Sequence, residues 1–349
     1  MTALKGKLLY VTEDGQGLLF KNQAFYTVNL TSGQSDLIVN TQAGFWERIC
    51  GHSRLGARFF RMEPRCVERL LDNLFVVCYA NRVWLLDALK RSLSLLLDSR
   101  DGFSNPLNLC TDGNAVYWGD YGNNPKHEVV NIYRLDSDLK VKIAYSFEEG
   151  VIRHIHNIVW DEKHQKFYVL TGDLEEKSGI YEATVDWHQV SPIVTGDQQF
   201  RAVVAFLYKD GLIYATDSVS EKNMIYLLQN GTVKPLSPLP GSCIYGAETE
   251  DYYVFSTTVE PPEGRGLFDM LTYKLGEGIE DRYSHLIAVG KNDLKVREVA
   301  KVKKDILPMK LFQYGAVMFP QGRVNENTIW LYNMACKGDG RTIAQIIEG

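Results

Sequence analysis

Apolar residues along the chain come in short runs rich in Val, Ile, Leu, Tyr and Phe, and small polar stretches break them. Typical breaks are Asp112-Gly113-Asn114, Asp210-Gly211 and Asn230-Gly231. Gly and Asn tolerate the left-handed backbone of a tight hairpin, so runs spaced this way predict antiparallel strands joined by short turns. No long amphipathic helix is predicted. The segment 64–73 (PRCVERLLDN) reads equally well as a short helix or a strand.

The strands recur as a module. The easiest marker is a strand ending in small polar residues: LFVVCYA at 74–80, AVYWGDY at 115–121, KFYVLTGD at 166–173, LIYATDS at 212–218 and YYVFSTT at 252–258. Each is followed by a third strand, as in RVWLLD at 82–87 or GIYEAT at 179–184, and then by a fourth, as in KVKIAYSF at 140–147. Segments 8–40 and 312–347 look like two further units. Four strands in a repeat of roughly 40–50 residues is the arithmetic of a β-propeller. Seven four-stranded antiparallel blades fill the chain 1–349 as a single domain. Six is the alternative, with KLLYVT near the N-terminus pairing into the last blade to close the ring. Segments 41–64 and 259–284 break the repeat and read as loop insertions over a face.

Composition narrows the function classes. With 38 Lys and Arg against 43 Asp and Glu, the net charge of -5 argues against a general nucleic-acid binder. No apolar run is long enough to span a membrane, and the start MTALKGKLLYVTEDG lacks a signal-peptide pattern. Six cysteines without a CxxC pair are expected to be mostly buried thiols, and the expected location is the cytoplasm. Nucleotide-binding, zincin and serine-hydrolase signatures are absent.

Propeller topology picks out one face. The residues that begin each first strand and end each second strand lie together near the axis, so functional groups are expected there. Entering first strands stand Arg153-His154-Ile155-His156, Phe200-Arg201, Tyr245-Gly246-Ala247-Glu248 and Gln313-Tyr314. Leaving second strands stand Asp120-Tyr121-Gly122-Asn123-Asn124, Asp173, Asp217 and Glu260. Each Asp or Asn taken singly is ordinary turn chemistry, but the set converges.

His154 and His156 carry the most information, because strand positions i and i+2 face one side. Three roles stay open for them: divalent metal ligation with Asp173 or Glu248, general acid–base work, and hydrogen bonding to a ligand. Satisfied structural histidines are the plainer alternative. His127, His188 and His285 read as loop or surface residues. Arg153 and Arg201, with Arg61 or Arg48, offer guanidinium forks for an anion. Trp46, Tyr121, Tyr245 and Tyr314 offer stacking surface.

The repeat pattern resembles sialidase-like propellers that carry Asp boxes, best at Leu135-Asp136-Ser137-Asp138-Leu139-Lys140-Val141, which lacks the Gly and Trp of that motif. The stretch from Trp118 to Pro262, with WGDYGNN, VIRHIHNIVWDEKHQKFYVLTGD, ATDS and STTVEPP, also resembles bacterial propellers associated with polysaccharide gene clusters. The resemblance implies no mechanism residue by residue; the face residues themselves give the reading of a carbohydrate-active enzyme, hydrolase or lyase, acting on an acidic oligo- or polysaccharide. Arg153 and Arg201 would hold the carboxylate, with Asp120, Tyr121, Asn123, Asn124, Asp217, Gln313 and Tyr314 around the sugar. Catalysis would fall to His154, His156, Tyr245, Glu248 and Asp173. The alternative is a non-catalytic propeller that binds a glycan or a protein on the same face.

Overall fold

Seven sheets follow one another along the chain in the computed structural model, which describes residues 3–42, 44, 50–98, 105–173, 175–262, 271, 273–322 and 327–347. Their antiparallel strands make a seven-bladed β-propeller of four-stranded blades. Blades 1 to 6 run over 7–40, 66–98, 110–147, 154–195, 202–239 and 243–303, and blade 7 over 316–346. The ambiguous segment at 64–73 is a strand, Cys66–Leu71.

The six-bladed alternative fails at the N-terminus. Lys7–Val11 (KLLYV) heads its own sheet, and the shorter Ala3–Lys5 pairs antiparallel with Arg341–Ile346 of blade 7. Gly6 divides the two strands. Its φ of +114° is a conformation that side chains disfavour, and a Cβ there would meet the Phe20 carbonyl oxygen at 2.5 Å. Blade 1 also gains a short parallel strand, Gln321–Gly322.

By compactness the chain divides into two units: 1–63, 217–225 and 235–349 form one, and 64–216 with 226–234 the other. In the second unit the cores lie between successive sheets. Val116 and Trp118 pack with Val76, Cys78 and Val83 of blade 2. Their strand neighbour Tyr117 packs instead with Phe167 and Trp187 of blade 4. Alternate side chains therefore enter opposite cores, which is why the strand reads as an unbroken apolar run. Phe167 and Val169 face blade 3 in the same way, and Tyr168 and Leu170 face blade 5. Each such buried side chain contributes roughly 1.5–3 kcal/mol.

In the first unit, the insertion read at 41–64 carries a helix, Arg54–Phe59, capped by Ser53. Buried Arg58 ties it down by donating to the Phe312 carbonyl and pairing with Asp305 at 2.5 Å. Arg54 pairs with Asp339 at 2.7 Å and with Glu63. Of the insertion read at 259–284, residues 263–270 and 272 lie outside the described residues, as do Trp46 and Arg48. No described helix is long and apolar enough to cross a membrane.

Candidate functional site

The first strand of blade 4, His154–Asp161, pairs with Lys166–Gly172, with His154 opposite Gly172 and Ile155 opposite Thr171. The next pair is Asn157 with Leu170, so His156 is an extra, bulged residue. A bulge twists its strand locally and re-aims the side chain it carries. Here both imidazoles are buried on one side, with their Nε2 atoms 3.1 Å apart.

The other ring nitrogens fix the tautomers. His154 Nδ1 lies 2.8 Å from the Gly122 carbonyl, and His156 Nδ1 lies 3.0 Å from the Ala202 carbonyl. A carbonyl oxygen only accepts, so each Nδ1 carries the hydrogen and donates it. In the neutral form each ring then turns a bare Nε2 lone pair toward the other. Asp173 follows the second strand and completes the group. Its Oδ1 stands 3.1 Å from His156 Nε2, and its Oδ2 stands 3.2 Å from His154 Nε2. The three ligand atoms lie within 4.8 Å of one another, the arrangement of a metal-holding group.

Gly172 makes room for this packing. A Cβ at position 172 would stand 2.3 Å from His156 Cε1 and 2.9 Å from its Nε2. The His156 ring lies against bare backbone, and a side chain at 172 would force it to shift.

Two arginines reach the same carboxylate. Arg201 donates to the Asp173 backbone oxygen at 3.1 Å and pairs with Oδ1 at 3.2 Å. Arg153 lies 3.7 Å from Oδ2 and donates to Asn123 Oδ1 at 3.1 Å. Asn124 holds the strand start by donating to the Arg153 carbonyl. Tyr121 covers the imidazoles, its ring centroid 4.7 Å from that of His154 and 5.9 Å from that of His156. Burial raises the Asp173 carboxyl, whereas hydrogen bonds and charge from the imidazoles, when they carry a proton on Nε2, outweigh it and hold the group well below the carboxylate range. Burial pushes His154 below its ordinary value against the pull of Asp173, which favours the neutral ring.

Arg153, His154, His156, Asp173, Arg201, Tyr121, Asn123 and Asn124 thus share one cluster in the second unit. Asp120 sits beside it in sequence, but its Oδ2 accepts from the Asn131 backbone at 2.9 Å and serves the blade. Asp217, Tyr245, Glu248, Gln313 and Tyr314 belong to the first unit. The strand carrying Tyr245 starts at Cys243, so Glu248 stands at its far end, paired with Lys291 at 2.7 Å. Tyr245 packs against Ala316, Met318 and Tyr332. His188 is exposed beside Asp186, whereas His285 departs from expectation. It is buried inside the third strand of blade 6, between Asp281 and Glu298.

Arg65 was not singled out in the sequence. It immediately precedes the first strand of blade 2, and its guanidinium carbon lies 5.6 Å over the Tyr121 ring. Its lead-in segment had no settled secondary structure to mark it as a strand start.

No protein-family model matches the chain, and no curated protein matches it. Solved structures do share its fold. An oligogalacturonate lyase in complex with manganese is 9% identical, with a TM-score of 0.56 over 99% of this chain and 91% of that one. A chain of a mitotic checkpoint complex is 8% identical, with a TM-score of 0.56 over 100% and 94%. The extracellular domain of a putative hybrid two-component system from B. thetaiotaomicron is 11% identical, with a TM-score of 0.56 over 99% of this chain and 39% of that one. At these identities the likeness establishes the fold: the chain is similar in architecture to propellers of different occupations.

Proposed function

We propose that the protein is a lyase for acidic oligosaccharides that works with a divalent cation held by His154, His156 and Asp173. The observation that carries this reading is the convergence of two Nε2 lone pairs and a carboxylate at 3.1–3.2 Å. Three acceptors so close repel one another unless a proton or a metal cation lies among them. Ligands of one octahedral divalent ion stand about 3 Å apart, which fits this spacing. Backbone carbonyls on both Nδ1–H groups supply the orienting contacts that metal-bound imidazoles have. The donor set of two imidazoles and one carboxylate suits manganese, iron or zinc and leaves positions open. The manganese of the oligogalacturonate lyase makes that ion and oligogalacturonates the first choices to try.

Charge points to an anionic substrate. Arg153 and Arg201 bring two positive charges to one negative Asp173, with neutral imidazoles between. The group is cationic before any metal binds, although the whole chain carries -5. A sugar carboxylate would be drawn to it.

Elimination fits better than hydrolysis. Hydrolysis usually needs two facing carboxylates, one of them protonated. Among the described residues the cluster holds one, and Asp173 is paired with Arg201 and faces Arg153, which favours its ionised form over a proton donor. In elimination a base takes the proton beside the sugar carboxylate, a C=C bond forms, the glycosidic C–O bond breaks and its oxygen takes up a proton. His154, His156 and Asp173 would hold a cation, which when bound would supply Lewis acidity toward that carboxylate. With both imidazoles committed through Nε2 when a cation is bound, Tyr121, whose ring lies against His154, would be placed to move a proton. Arg153 and Arg201 hold Asp173 in place.

Incubation with oligogalacturonates and manganese tests the reading. Unsaturated products, seen by ultraviolet absorbance and lost on chelation, support it. New reducing ends without unsaturation would indicate hydrolysis, and binding without turnover would favour the non-catalytic alternative.

A further inference from the structure

Three arginines occupy one structural position. Arg65, Arg153 and Arg201 each stand directly before a first strand, and these strands begin at Cys66, His154 and Ala202. All three belong to the second unit. Blade 3, between them in sequence, has Leu109 there. Two of the three spend their charge on Asp173. Arg65 does not. Its Nη1 donates to the Asn105 carbonyl at 3.3 Å, and its guanidinium rests over Tyr121. Among the described residues it makes no ion pair.

The placement has a chemical consequence. A cation above an aromatic face is held there without using N–H donors. Apart from the Nη1–H given to Asn105, the donors of Arg65 are therefore left for a planar anion, one aromatic ring away from the imidazoles. The partly buried site strengthens such a pairing relative to open water. Arg153 and Arg201, which the sequence assigns to the substrate carboxylate, are already engaged.

We propose that Arg65 is the specificity-determining residue that reads the substrate's charge. It binds the carboxylate of the sugar next to the one at the triad, and so selects oligouronides over neutral glycans. This inference rests on the lyase reading above.

The test compares wild type, Arg65→Gln and Arg65→Lys, each shown folded by circular dichroism, on trigalacturonate and on its methyl ester with manganese present. The expected result is a KM on the acid raised tenfold or more in Arg65→Gln, with kcat within twofold and partial recovery in Arg65→Lys. On the ester, the variants and wild type should match. An unchanged KM on the acid overturns the inference and leaves the lyase reading intact. A fall in kcat at constant KM also overturns it, because Arg65 would then act through Tyr121. Wild type that neither binds nor cleaves trigalacturonate removes the lyase reading itself.

Discussion

His154 Nε2 and His156 Nε2 face each other at 3.1 Å, and in the neutral rings neither carries a hydrogen, because each ring spends its Nδ1–H on a backbone carbonyl. Acid should therefore loosen the native state. Unfolded, His154 takes up a proton near the ordinary 6.5; folded, burial holds its value lower. The neutral ring's contribution is complete above about pH 6.5 and is lost as pH falls through the folded value. Asp173, also held below its ordinary 3.8, acts in the same direction at lower pH. Thermal unfolding of the metal-free protein should show Tm falling below pH 6.5, with a shallower fall in His154→Gln. Equal slopes in both proteins would count against the assignment.

Gly172→Ala should damage the site more than the fold. The new methyl would meet His156 Cε1 at 2.3 Å, so the ring must leave its place. Overpacking of this kind costs about 1–3 kcal/mol. Urea titration should show that modest loss, while the stabilisation of wild type by manganese should vanish. A variant that keeps the full metal response would mean that His156 is not a ligand.

The helix Arg54–Phe59 should depend on Arg58. Its guanidinium is buried, with Asp305 and the Phe312 carbonyl as partners. Removing one side of a buried pair costs up to about 3–5 kcal/mol, and the loss here falls toward the lower end because Lys304 still pairs with Asp305. Arg58→Ala should lower the urea midpoint sharply, and replacement of an exposed lysine such as Lys90 should not.

Much of the fold was legible in the sequence, because burial on both faces makes blade strands apolar throughout and the turns between them polar. LFVVCYA, KFYVLTGD and LIYATDS marked second strands that the structure places at Leu74–Tyr79, Lys166–Gly172 and Gly211–Thr216. His154, His156 and Asp173 came from the same arithmetic of strand starts and ends. Other features left no such trace. Gly172 contributes by lacking a side chain, which no chemical motif can announce. Arg65 leads into a strand that looked equally helical. Arg153 and Arg201 were assigned to a substrate carboxylate, but they meet Asp173 from separate loops, a contact fixed only in three dimensions. Glu248 was placed two residues too near its strand start, because that strand opens with the apolar Cys243 and Ile244.

Calorimetric titration of manganese into the metal-stripped protein tests the central claim most directly. Wild type should bind one ion per chain and release heat. His156→Ala and Asp173→Asn should bind at least tenfold more weakly while remaining folded. Wild type that takes up no divalent ion, or variants that bind as tightly as wild type, would contradict it.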